Sequence, residues 1–166
     1  MPATFVTRPL DPRQIDQAYA LMRPFYPGLT VERWREHATA LLAPVGRGAN
    51  ANAPLGGIVT VQLDHRYMHG LFSYLVVPDL DHRRGLQVDV FVALDLFDPV
   101  AAADALLAEM DRLAQFHGCD AIHITLPDQQ EAAHPSLARF RARGHVPEGR
   151  RLCKHLVPVA AAPPAA

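Results

Sequence analysis

Asp89 is the acidic residue whose setting most invites chemistry. It lies in the apolar run Leu86–Leu94, where Val88, Val90, Val92 and Leu94 alternate with Gln87, Asp89, Phe91 and Ala93. A period of two marks a strand with two faces, so Gln87 and Asp89 share one of them. A carboxylate on a half-buried strand is a general-base candidate, because burial favours its taking up a proton. It reads equally as an ordinary hydrogen-bonded strand residue. A second feature follows at once. Asp98-Pro99 is a capping residue followed by proline, which opens a helix whose first turn, Val100-Ala101-Ala102-Ala103, is small. The nine histidines are scattered without HxxxE or CxxC spacing, and the sequence predicts no metal. Cys119 and Cys153 are too few for a disulfide framework, which predicts a reducing, cytoplasmic setting.

The elements that would position these groups are legible along the chain. Thr4–Arg8 is a β-rich run. Asp11-Pro12 opens a helix with Ile15, Ala18, Tyr19 and Met22 on one face, and Pro24 and Pro27-Gly28 end it. Thr30 caps a second helix to about Leu42, with Val31, Trp34, Ala38, Leu41 and Leu42 as its apolar stripe. Residues 43–54 read as a loop. Gly57–Leu63 and Tyr67–Val77 predict an antiparallel hairpin, and Asp79–Gly85 a charged turn. The helix from Asp98-Pro99 runs to about His117 and stops at Gly118. Ala121–Leu126 predicts a strand, Pro135–Arg143 a helix and Arg151–Val157 a last strand. Strand, long helix and strand over 86–126 predict two parallel neighbours.

The 166 residues predict one domain, 1–157, with a disordered Ala/Pro-rich tail over 158–166. With 49% hydrophobic and 20% charged residues, the composition is that of a folded chain. A net charge of −1 argues against nucleic-acid or anionic-membrane binding by bulk charge. No apolar run approaches the roughly 20 residues that span a bilayer. Lys154 is the only lysine among 16 basic residues, a bacterial-like, GC-rich bias that says nothing of function.

The order β-α-α-β-β-β-α-β-α-β resembles the GNAT superfamily of N-acetyltransferases over about residues 4–157. Ala101–Leu126 resembles it most, with the pair Leu106-Leu107 and the run Gln115-Phe116-His117-Gly118-Cys119 into a strand. Ser136–Val146, with Phe140 four residues before Gly144, is similar to the family's late helix. The resemblance implies a mixed α/β (α+β) fold. Its mostly antiparallel central sheet would have six to seven strands, with about four helices on both faces. It also implies acetyl-CoA or another acyl-CoA as co-substrate, a small-molecule or peptide amine as acceptor, and a possible homodimer.

The resemblance assigns site residues one by one. The family's phosphate-binding turn, an Arg or Gln, two residues, Gly, one residue, then Gly or Ala, falls on Asp98, Pro99, Val100, Ala101, Ala102 and Ala103. Only Ala103 fits. Asp98 stands where a cation or amide is expected, Ala101 where glycine is, and Pro99 removes an N–H. The family's tyrosine acid falls on Phe140, which has no proton to give. His134 and His145 become the replacement candidates, since imidazole titrates near neutral pH. The family's strand carboxylate corresponds to Gln87, which makes Asp89 the preferred base. Main-chain groups of Phe91, Val92 and Ala93 would hold pantetheine and the oxyanion. The departures at Asp98, Ala101 and Phe140 leave a second expectation open, a GNAT-like module that binds without catalysing.

Overall fold

In the computed structural model, which describes residues 4–43, 55–63, 67–94, 98–126, 136–149 and 152–156, one sheet has the strand order β1-β2-β3-β4-β5. The strands are β1 (Phe5–Pro9), β2 (Leu55–Leu63), β3 (Tyr67–Asp79), β4 (Arg83–Ala93) and β5 (Ala121–Ile124). The first four pair antiparallel with their neighbours, and β5 joins β4 in parallel. This is the pairing expected for the hairpin and for the strand–helix–strand unit.

Four helices cover the sheet: α1 (Ile15–Met22), entered through a 3₁₀ turn at Pro12–Gln14, α2 (Val31–Leu42), α3 (Pro99–Phe116) and α4 (Leu137–Ala142). Side-chain caps set three of these starts. Asp11 accepts the Arg13 N–H at 2.8 Å, Thr30 accepts the Arg33 N–H at 3.3 Å, and Asp98 accepts the Ala101 N–H at 2.9 Å. Each satisfies an amide that the helix itself cannot.

The sheet separates two cores. On one face Leu106, Leu107 and Met110 of α3 are fully buried over Val61, Phe72 and Val88, and α4 adds Phe140. On the other, α1 and α2 bring Ala18, Met22, Trp34 and Ala38 against Ile58, Leu71, Val90 and Val92. Each fully buried aliphatic side chain contributes about 1.5–3 kcal/mol. Backbone and helix meet closely at Gly70, where a Cβ would lie 2.5 Å from the Val92 carbonyl oxygen and 3.0 Å from Leu106 Cδ1.

Two expectations need correction. The described residues hold five strands, not six to seven. The last strand expected at 151–157 is not formed over residues 152–156, where Leu152 and Leu156 are 91% and 80% exposed. A strand with no burial for its apolar side chains gains nothing from pairing. The second concerns β4, whose alternation is interrupted. Ser73 pairs with Val90 but Tyr74 with Val88, so Asp89 is the extra residue of a β-bulge. Val90 and Val92 therefore face α1 and α2, while Phe91 and Ala93 join Val88 under α3.

The turn at 79–85 is tighter than expected. β4 begins at Arg83, whose φ of 55° is left-handed. Expectations for the loop 44–54, for His134 and for the tail from 158 fall outside the described residues. Among those described, no helix is long and apolar enough to cross a membrane.

Candidate active site

The β4–β5 ladder is short. It runs from the Gly85–Ala121 pair to the Val88–Ile124 pair, and the Thr125 N–H closes it on the Val88 carbonyl at 2.9 Å. β4 continues to Ala93. β5 ends at Ile124, so the ladder stops at the bulge, and Asp89 is the first residue of β4 beyond its last pair. Phe91, Val92 and Ala93 form the stretch of β4 beyond it. Their side chains are buried in the two cores.

Asp89 is half-buried. Its Oδ1 accepts from Gln87 Nε2 at 3.1 Å and from the Thr125 hydroxyl at 3.3 Å. The two donors, one from each strand, fix the carboxylate at the end of the ladder. With His37, Leu41, Ser73, Tyr74, Leu75 and Gln87 it lines a small cavity of about 20 Å³ on the α2 side of the sheet. His37 is solvent-exposed along α2, yet its ring borders this cavity. Burial on that side holds the imidazole below the usual histidine range, and the Asp89 charge opposes that shift. Burial also pushes the Tyr26 phenol up, and Asp89 adds to it. His37 and Asp89 thus share one small cavity, and the Asp89 charge also reaches Tyr26.

His37 and Tyr26 are absent from the sequence expectation. His37 follows Trp34 by three residues, and their rings lie 6.1 Å apart, so helical spacing carried a signal. Tyr26 lies between two prolines and carried none.

The start of α3 is less accommodating. The Asp98 carboxylate takes the Ala101 N–H, the Asp98 carbonyl takes the Ala102 N–H at 3.4 Å, and Pro99 has no N–H. Ala102 and Ala103 are buried against the core, while Asp98 and Val100 are exposed. Two guanidinium groups at α4, Arg139 within it and Arg143 just after its end, are also committed. Arg139 pairs with Asp104, and Arg143 with Asp111 at 2.9 Å. The start of α3 is thus a carboxylate-capped helix end.

Phe140 is buried and meets Phe91 edge-on, with ring centroids 4.8 Å apart. It acts as a packing residue. His145 is tied to the same helix end, its Nδ1 at 3.1 Å from the Phe140 carbonyl oxygen and its ring 5.7 Å from the Phe140 ring. The Phe91–Phe140–His145 stack thus connects β4 to His145 on the α3 side of the sheet, opposite the Asp89 cavity.

No protein-family model and no curated protein matches the sequence. Solved structures match it throughout. An aminoglycoside N-acetyltransferase in complex with coenzyme A is 13% identical, covers 94% of this chain and 97% of its own, and superposes with a TM-score of 0.72. The glucosamine-6-phosphate N-acetyltransferase of Arabidopsis thaliana is 10% identical, with 93% and 99% covered and a TM-score of 0.64. A transcriptional regulator from Bacillus halodurans C-125 is 13% identical, with 92% and 100% covered and a TM-score of 0.67. The chain has the GNAT fold, that of the N-acetyltransferases.

Proposed function

We propose that this chain is an acyltransferase that moves an acetyl or other acyl group from acyl-CoA to an amine of a small molecule. The observation that carries the reading is that β4 runs on to Ala93 past its last pair with β5, Val88–Ile124, with Asp89 the first residue beyond that pair. An extended pantetheine arm would add to β4 there as a short pseudo-strand. Similar folds act on amino-sugar amines, and the Asp89 carboxylate suits the approach of a cationic amine.

Asp89 draws in the ammonium group and takes a proton from it, directly or through one water, so that the neutral amine attacks the thioester carbon. A β4 main-chain N–H near Phe91–Ala93 stabilises the oxyanion. The carbon–sulfur bond then breaks, and His145 or solvent supplies the proton to the departing thiolate. His37, held largely neutral, receives the Asp89 proton or orients the acceptor. The donor binds chiefly through its pantetheine arm, because Asp98 occupies the Ala101 amide where a diphosphate would otherwise sit.

Calorimetry with acetyl-CoA and longer acyl-CoAs, followed by thiol-release assays on a panel of small amines, tests the reading. Binding, together with turnover lost in Asp89→Asn, is the expected result. No binding at millimolar ligand refutes it. A second reading, a binding module without catalysis, is favoured by the capped Ala101 amide and by Phe140 spent in the core. Turnover of any amine that depends on Asp89 excludes it.

A further inference from the structure

A group of side chains outside the acyl-transfer site gathers at the opposite end of β4. Asp79 ends β3, His82 sits in the turn, His123 is on β5 opposite Gln87, and Glu148 comes from the segment after α4. Between 25 and 69 residues separate Glu148 from the other three, so only the fold brings them together. Asp79 Oδ2 lies 3.3 Å from His123 Nε2, Glu148 Oε2 lies 3.2 Å from His123 Nδ1, and Glu148 Oε1 lies 3.3 Å from His82 Nε2. The imidazole rings of His82 and His123 are 5.4 Å apart. One donor atom from each of Asp79, His82 and His123 falls within 4.8 Å of the others.

Three observations select a metal over a simple ion-pair network. First, His123 Nε2 is buried and has no hydrogen-bond partner, although Asp79 Oδ2 is beside it. Such an atom is costly to leave unsatisfied. Second, Asp79 Oδ2 and His123 Nε2 stand 3.3 Å apart, the spacing of two ligands on one ion. Metal–ligand distances of about 2.0–2.1 Å in a tetrahedron give donor atoms roughly 3.3–3.4 Å apart, longer than a charge-assisted hydrogen bond of about 2.7–2.9 Å. Third, the groups that would orient the ligands are already in place. Glu148 holds His123 through Nδ1, which turns Nε2 towards Asp79, as a carboxylate fixes a metal-bound imidazole. Asp79 is itself pinned, its Oδ1 accepting the His82 and Asp81 amides at 2.8 and 2.9 Å, which leaves Oδ2 to ligate. Gly85 makes the room, since a Cβ there would lie 3.0 Å from the His123 ring.

We infer that Asp79, His82 and His123, with Glu148 orienting His123 or completing the coordination, form a binding site for a zinc-class divalent cation. Two neutral imidazoles and two carboxylates balance its charge, and a nitrogen/oxygen set of this kind suits zinc. The site ties the β3–β4 turn to β5 and to the segment after α4. It lies at the Gly85–Ala121 end of the β4–β5 ladder, opposite the end next to Asp89. Gly85 and Asp89 are four residues apart on β4, about 13 Å, so this site is distinct from the acyl-transfer site and does not depend on that reading.

The test uses the full chain freed of metal by chelation. Zinc chloride titrated calorimetrically should bind one ion per chain and raise the thermal midpoint. X-ray absorption should show only nitrogen and oxygen at about 2.0–2.1 Å, with no sulfur from Cys119 or Cys153. His123→Gln and His82→Gln should each weaken zinc binding at least about 100-fold, and Glu148→Gln by about 10–100-fold. Asp81→Asn, beside the cluster but outside it, should change nothing. Far-UV dichroism of the metal-free variants shows that they fold. Two substitutions at separate elements keep the test standing if one of them does not. No zinc binding below millimolar concentration, sulfur in the coordination shell, or wild-type affinity in the folded histidine variants overturns the inference.

Discussion

Replacing Asp98 separates two roles that the structure superimposes on one carboxylate. Asp98 caps α3 through the Ala101 amide, and under the proposed donor site its charge would face the diphosphate of coenzyme A. Serine is as good an N-cap as aspartate, so Asp98→Ser keeps the cap and removes the charge. A carboxylate about 4 Å from a phosphate oxygen repels it by about 1 kcal/mol in water-like surroundings. Asp98 is exposed, so this lower figure applies, and it corresponds to coenzyme A binding about five-fold tighter. Asp98→Ala removes both roles. It should bind coenzyme A more tightly too, but lose about 1 kcal/mol of stability, a fall of roughly 2–4 °C in thermal midpoint for a chain of this size. Isothermal titration with coenzyme A and with pantetheine reads the effect. Pantetheine, which lacks the diphosphate, should bind all three proteins equally. Equal coenzyme A affinity in wild type and Asp98→Ser would mean that the diphosphate does not approach α3, and the assignment of Asp98–Ala103 to the donor site would fall.

Asp89→Asn should lower amine acylation by about 10²–10⁴-fold while leaving acyl-CoA affinity within two-fold, read by steady-state kinetics and calorimetry. Gly70→Ala places a Cβ 2.5 Å from the Val92 carbonyl oxygen, and urea denaturation should show a loss of about 1–3 kcal/mol. Phe140→Ala, which empties the site against Phe91, should cost about 3–5 kcal/mol in the same assay. His37 has its pKa lowered by burial in the folded state. The unfolded chain therefore binds the proton more readily, and stability falls as pH drops through the ordinary histidine value near 6.5. His37→Gln should remove that part of the pH dependence, which denaturation between pH 5 and pH 8 will show.

Local signals read correctly wherever they acted over a few residues. Asp11, Thr30 and Asp98 each cap the helix that their side chain and following residues predict. The β2–β3 hairpin and the parallel β4–β5 pair follow from β-run spacing and from the long helix between strands. What escaped lies at longer range. Residues 86–94 alternate without a break in the sequence, but the pairing with β3 inserts Asp89 as a bulge and reverses the face of Phe91 and Ala93. Nothing in the composition of β4 announces that, since the register belongs to two strands. The segment 152–156 has strand-like spacing but stays exposed. His37 was within reach of helical periodicity from Trp34. Asp79, His82, His123 and Glu148 were not, because no short spacing links them and β5 must first lie beside β4.

The central claim is that β4 beyond its last pair with β5 receives the acyl carrier with its thioester near Asp89. A crystal structure of the protein with acetyl-CoA tests it most directly. The account predicts pantetheine density alongside residues 89–93 of β4, its carbonyl oxygen within hydrogen-bond distance of a main-chain N–H and its reactive carbon facing the Asp89 cavity. Density elsewhere on the molecule, with none alongside residues 89–93 of β4, would contradict it.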